Sequence, residues 1–265
     1  MKSVSAVIAF LVACGWGLDA FAQDGMIAVK VRRWQAEIQG EIKVDDSGFE
    51  GTNIDVDDTF GFDDKEDFDE LHITMGLPLL GRFNYQFLRG EYEGTRTLSA
   101  DITFAGTTFT ASTQIDAMLE FQVHTLLWQF GASTPGVIGA DVGAGGIAGI
   151  KYFDIRGTVD DAFGNSESVE IKAPLPVFGA YVNFNLAKFL SVNAQVHGIK
   201  FPDSWNIGLV GIFYDATVSV DLKLSMLYAG VGYRLMKLNV QYEDGTDADV
   251  DLDITGMFFE VGASF

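Results

Sequence analysis

Residues 116–127 read DAMLEFQVHTLL. Ala117, Leu119, Phe121, Val123 and Leu127 share one parity. Asp116, Glu120, Gln122 and His124 share the other, with Met118 and Leu126 as apolar exceptions. A two-residue period over this length predicts a β-strand with one wet and one dry face, because successive side chains point to opposite sides of the backbone. The same alternation sets Trp34, Ala36, Ile38, Ile42 and Val44 against Gln35, Glu37, Gln39, Glu41 and Lys43. It also sets Leu190, Val192, Ala194 and Val196 against Ser191, Asn193, Gln195 and His197.

Outward from these stretches, composition agrees with long strands. The 265 residues are 48% hydrophobic, with 22 Phe and 30 Gly but only 5 Pro. Aromatics suit strands, and Pro, which cannot donate to a ladder, is scarce. The formal charge is −20. That balance excludes nucleic-acid binding, which needs clustered Lys and Arg to neutralise phosphates. Acid is concentrated between Asp45 and Glu70, which hold 12 carboxylates and one Lys, Lys65.

The first 22 residues predict an export signal. Lys2 is followed by the apolar run Val4–Ala13 and by Ala20-Phe21-Ala22, an A-x-A cleavage site before Gln23. Cleavage removes one Lys and one Asp and leaves the charge at −20, and it takes away Cys14, the only cysteine. Leu11-Val12-Ala13-Cys14 supports a second reading, a lipoprotein anchor at Cys14. No segment reaches 18 uninterrupted apolar residues, so no spanning helix is predicted.

The end of the chain narrows the choice. Met257, Phe259, Val261, Ala263 and Phe265 share one parity, and Phe265 is the last residue. This resembles the C-terminal signature of bacterial outer-membrane β-barrels, of the small OmpA/OmpW-like class, without pointing to a specific family. The resemblance implies recognition of Phe265 by the barrel-assembly machinery and burial in outer-membrane lipid and lipopolysaccharide.

Connections alternate between short ones (Pro78–Gly81, Ala132–Gly136, Leu186–Lys188, Leu235–Lys237) and polar ones (Asp45–Glu70, Thr158–Ser168, Phe201–Asn206, Asp244–Asp249), with a tight turn at Ala105-Gly106. This predicts a closed all-β antiparallel barrel of ten strands over residues 23–265, with eight and twelve as alternatives. Aromatics beside the short turns (Phe83, Tyr85, Trp128, Phe130, Phe184, Phe189, Tyr233) predict an interfacial girdle. Arg89 breaks the outward parity of Phe83, Tyr85 and Phe87, a second slip falls near Tyr228, and Pro174 and Pro176 interrupt a strand-like run.

Candidate chemistry is sparse. Asp55, Asp57, Asp58, Asp63 and Asp64 offer hard oxygen ligands for Ca²⁺ or Mg²⁺, although their spacing does not match an EF-hand. The bland reading is a solvated, self-repelling loop. His72, near Asp67, Asp69 and Glu70, is the most base-like residue, placed by its sequence neighbours at the outer rim, where ten-strand outer-membrane proteases hold Asp and His pairs. No Ser stands beside a His. Glu37, Glu41, Lys43, Asp116, Glu120, His124, Asp141, Lys151, Gln195, His197 and Glu260 are expected inside the lumen, as a plug or as the lining of a small channel. The glycines Gly143, Gly145, Gly146, Gly230 and Gly232 are expected to let neighbouring strands pack closely. No enzyme is expected. The expected role is a structural or interaction barrel presenting acidic outer loops, with a small solute channel or a membrane-embedded hydrolase as alternatives.

Mass spectrometry of the exported protein tests the two N-terminal readings. Signal cleavage predicts a mature chain beginning at Gln23, whereas an acylated Cys14 would contradict it.

Overall fold

The computed structural model describes residues 27–45, 50–62, 65–77, 80–134, 141–187, 189–201, 209–243 and 247–265. The export-signal residues, Cys14, Asp63 and Asp64 lie outside these. No described helix is long and apolar enough to cross a membrane. The strands are β1 (Ile27–Val44), β2 (Ile54–Asp55), β3 (Glu66–Leu77), β4 (Gly81–Thr97), β5 (Ile102–Phe104), β6 (Thr107–Phe109), β7 (Gln114–Thr134), β8 (Asp141–Asp161), β9 (Ser166–Ala187), β10 (Leu190–Phe201), β11 (Leu209–Leu224), β12 (Leu227–Glu243) and β13 (Asp247–Ser264). Among the described residues one short helix, α1, spans Val56–Phe60.

Ten of these strands form the wall. Each pairs antiparallel with the next in the order β1-β3-β4-β7-β8-β9-β10-β11-β12-β13, and β13 returns to β1 from Ala28↔Ser264 to Val44↔Ala248. The chain is therefore a closed ten-stranded antiparallel transmembrane β-barrel. Closure matters because hydrocarbon offers no partner to an open edge. At the seam Ile27 and Phe265 exchange two backbone hydrogen bonds, of 3.2 and 2.8 Å.

Three of the strands reach 21 or 22 residues, about twice what a bilayer crossing requires. Polarity shows where the bilayer sits. On β12 the outward residues from the short-turn end are Leu227, Ala229, Val231, Tyr233 and Leu235, followed by Lys237, Asn239 and Gln241. On β9 the outward Phe178, Ala180, Val182, Phe184 and Leu186 lie below Lys172 and Glu170. On β13 Met257, Phe259 and Val261 lie below Asp253, Asp251 and Asp249. A nine-residue belt rising about 3.3 Å per residue and tilted by ~40° is roughly 23 Å tall, matching the apolar band of such barrels. Tyr85, Trp128, Phe130, Phe184, Phe189 and Tyr233 are exposed in it near the short turns, as the girdle requires.

Above the belt the faces exchange roles. Ile115, Ala117, Leu119, Phe121 and Val123 of β7 are buried inside, while Asp116, Glu120, Gln122 and His124 point outward. On β1, Trp34, Ala36, Ile38 and Val44 are buried, and Glu37, Glu41 and Lys43 are outside. This corrects the expected inward placement of Glu37, Glu41, Lys43, Asp116, Glu120 and His124. Outside these upper segments is water rather than lipid, so the usual soluble pattern applies. The apparent slip at Arg89 has the same cause, since Arg89 does point outward but above the belt. Near Tyr228 there is no slip either. Its ring faces the lumen under the Lys30 ammonium, 4.7 Å from the ring centre.

Two further readings change. Leu235–Lys237 lies within β12, and the short turn is Ser225-Met226, where Leu224 pairs with Leu227. Lys237 interrupts the apolar parity because it is the first outward residue above the lipid. Pro174 and Pro176 lie beyond Gly198↔Phe178, the last β9–β10 pair among the described residues, where β9 has no β10 partner to lose. At Ala105-Gly106 the turn is present, with positive φ of 48° and 84°, but it joins β5 to β6 rather than two wall strands.

Val231 lies in the middle of the belt. Val231→Arg should destabilise the barrel by about 2–4 kcal/mol in lipid vesicles, whereas Gln241→Arg, above the lipid, should change it by no more than ~1 kcal/mol. Urea unfolding followed by heat-modifiable gel migration measures both.

Candidate functional site

The inside of the barrel is built in two layers. Toward the membrane half, polar residues converge. Arg234 donates from Nε and one terminal nitrogen to both oxygens of Asp215, at 3.0 and 2.6 Å. Its other terminal nitrogen reaches Glu70 at 3.1 Å. Arg32 donates to the second Glu70 oxygen at 3.1 Å and to Glu260 at 2.9 and 3.1 Å. Lys151 Nζ lies 2.5 Å from Asp215, and Lys30 Nζ lies 2.7 Å from Glu260 and 3.6 Å from Asp221. Four cations thus face four carboxylates drawn from β1, β3, β8, β11, β12 and β13. The chain of contacts crosses the lumen from wall to wall.

Lys151, Asp215, Arg234 and Glu260 are each at most 2% exposed. An isolated ion so placed would cost several kcal/mol, so the pairing is what makes burial tolerable. The histidines complete the cluster. His72 Nε2 lies 2.9 Å from Glu70 but off the hydrogen-bonding direction, and His197 Nε2 lies 3.8 Å from Asp215 with neither ring nitrogen hydrogen-bonded. His72 is therefore inside the lumen at belt level, not at the outer rim. Leu71 and Ile73 beside it on β3 face outward to lipid, which forces His72 inward. His124 is outside, with Nδ1 2.8 Å from the Tyr85 hydroxyl.

Of the expected lumen residues, Lys151, His197 and Glu260 are deep inside, and Gln195 bridges to Gln129 at 3.1 Å. Asp141 is exposed at the short-turn end of β8. Of the main partners, Arg32, Asp215 and Arg234 were not singled out from sequence, and Glu70 entered only as an acidic neighbour of His72. Each is a charged residue on the inward parity of a belt-level segment, a signal usable only once the facing of every strand is known.

The second, apolar layer sits on the first. Arg32 stacks on Phe258 (3.8 Å), Arg234 on Trp34 (4.7 Å), and Lys151 lies 5.1 Å from the Phe213 ring centre. Above come Phe68, Tyr92 and Phe121, with Phe68 5.2 Å from Tyr92 and 5.9 Å from Phe121. Glycines shape this packing. A Cβ on Gly90 would fall 2.0 Å from the Phe68 ring, and one on Gly232 would fall 2.3 Å from the Phe258 ring. Of the β8 glycines, Gly145 serves strand approach as expected, since a Cβ there would meet the Phe130 carbonyl at 2.0 Å, whereas Gly143 and Gly146 make room for the Asn183 and Phe130 side chains.

The acidic connection behaves differently from a solvated loop. Its interleaved apolar residues Ile54, Val56, Phe60 and Phe62 are buried in the barrel mouth. Asp55 caps α1, accepting from the Asp58 amide at 3.2 Å, and Gly61 closes the helix at φ 78°. A shared hydrogen bond holds the Asp55 carboxyl below the usual aspartate range and pushes Asp57 above it. Among the described residues no three His, Cys, Asp or Glu side chains gather as a metal cage. Asp55 and Asp57 adjoin, Asp58 meets them through its amide, and Asp63 and Asp64 are not described.

Removing one member of the ion network strands its partners. Arg234→Met should cost about 3–5 kcal/mol, against less than ~1 kcal/mol for Arg33→Met, whose Asp67 and Asp69 pairs are half-exposed. Equilibrium unfolding of the two variants in the same lipid gives the comparison.

No family model and no curated protein match the chain. Solved structures similar to it are bacterial outer-membrane barrels. The outer membrane protease OmpT from Escherichia coli has a TM-score of 0.47 at 9% identity, over 94% of this chain and 99% of that one. The translocator domain of the autotransporter NalP from Neisseria meningitidis has 0.44 at 13%, over 99% and 96%. The attachment invasion locus protein Ail of Yersinia pestis has 0.35 at 10%, over 90% and 99%. Nothing about this chain's chemistry follows from likenesses of this size.

Proposed function

We propose that the protein is a sealed structural or interaction barrel of the bacterial outer membrane, which holds a rigid acidic wall and its loops above the outer leaflet. The observation that carries this reading is the cross-lumen ion network capped by the apolar layer. A solute would have to break several buried ion pairs and then displace packed aromatic rings. That argues against the small-channel alternative.

The hydrolase alternative needs an acid–base pair open to substrate. His72 and His197 are 8% and 2% exposed, and lie among arginines and a lysine beneath the aromatic layer. The geometry therefore favours a role that is not enzymatic.

The outer wall suits contact with lipopolysaccharide. Just above the belt, Arg33↔Asp69, Asp69↔Arg89, Arg89↔Gln122, Gln122↔Asp154 and Asp154↔Lys172 follow one another laterally across five strand pairs. Cations in this row suit headgroup phosphates, and its carboxylates suit bridging Ca²⁺ or Mg²⁺. Phe265, paired at the closing seam, suits a role in assembly. Residues 1–22 suit a cleaved export signal.

In planar bilayers the folded protein should give no unitary conductance steps. Reproducible steps of constant size from the unmodified protein would overturn the sealed-barrel reading.

A further inference from the structure

The apolar layer does not fill the barrel mouth evenly. On the β1, β3, β4 and β7 side, loop residues cover it. Phe60 and Phe104 meet edge to face at 6.3 Å, and Leu98, Ile102 and Phe109 are buried beside them. Toward β8, β9, β12 and β13 the same kind of surface encloses a cavity of about 470 Å³. Its walls include Val44, Leu119, Ile155, Ile171, Val240 and Val250. Phe153, which also lines it, packs edge to face on Phe213 at 5.3 Å. Beneath that pair lies Lys151 of the ion network.

We infer that this cavity is a binding site for a neutral, apolar small molecule taken up from the external side. Described residues of β1, β7, β8, β9, β12 and β13 form its walls, and Lys151 of the ion network lies below it. Its volume falls within the roughly 300–1,000 Å³ typical of small-molecule pockets and is too small for a helix or a second copy of the chain. Apolar walls give water few partners, so an apolar guest gains by displacing it. The ligand's neutrality follows from the apolar walls, which offer an ion no solvation, and the charges nearby oppose an anion in particular. Glu167 is turned inward at the upper edge, its carboxylate accepting a hydrogen bond from Thr107 at 2.5 Å, and the chain's charge of −20 disfavours anions. The ion network leaves the guest no described path downward through the lumen.

The test uses the full folded chain in lipid nanodiscs, with 1-N-phenylnaphthylamine as a fluorescent apolar probe and empty discs subtracted. Saturable binding at one site per barrel is expected, with competition by naphthalene. Ala173→Trp and Val250→Trp each place a large ring in the cavity and should weaken binding at least tenfold while heat-modifiable migration persists. Val231→Trp on the lipid belt should leave it unchanged. Absence of saturable signal above empty discs would overturn the inference, as it would if the chain's own outer connections filled the space. Undiminished binding in either filled, folded variant would overturn it too, as would failure of naphthalene to compete.

Discussion

A strand twice as long as the bilayer is thick must exchange its apolar and polar faces where it leaves the lipid. The wall strands β1, β4, β7, β8, β9, β12 and β13 obey that constraint without changing their two-residue period. In β13, Ala248, Val250, Leu252 and Ile254 point inward, and then Met257, Phe259 and Val261 point outward. The exchange divides the molecule into a lower half, greasy outside and polar inside, and an upper half with the reverse arrangement. Both the ion network and the aromatic layer are consequences of it.

The two layers stabilise one another at their boundary. Guanidinium groups over Phe258 and Trp34 give the buried cations an apolar neighbour that still attracts charge. The ion pairs in turn satisfy groups that would otherwise be stranded below a dry core. Burial of this many ions contributes little net stability by itself. It closes the lumen, and it ties six strands from opposite sides of the barrel to one another.

Much of the fold was legible in the sequence, because alternation and turn chemistry are local signals. The closed barrel of ten strands and the aromatic girdle follow from them, although the turn read at Leu235–Lys237 lies at Ser225-Met226. The facing was not legible in the upper segments. DAMLEFQVHTLL reads the same whether Leu119 meets lipid or a core, since both are apolar surroundings. The cue lay one turn further on, where Leu126, Trp128 and Phe130 take the parity that Glu120 and Gln122 had held. That exchange of parity within β7 marks the bilayer surface.

The interior site was only partly legible for a related reason. Lys151, His197 and Glu260 lie on strands whose facing was read correctly or by chance agreed. Arg32, Glu70, Asp215 and Arg234 come together only through closure, which brings β1 and β3 beside β12 and β13. His72 was misplaced because its acidic sequence neighbours, Asp67 and Asp69, suggested a rim, whereas they are outward residues on the same strand. In the acidic connection, charge masked the buried Ile54, Val56, Phe60 and Phe62, since a run of carboxylates reads as solvated whatever lies between them.

The most direct test of the exchange is nitroxide labelling along the odd positions of β13 in lipid, reading collision with dissolved oxygen against a water-soluble nickel chelate. Labels at 249, 251 and 253 should collide mainly with the chelate, and labels at 257, 259 and 261 mainly with oxygen, with the crossover near Thr255. Uniform oxygen accessibility from 249 to 261 would place the whole strand in lipid and contradict the account.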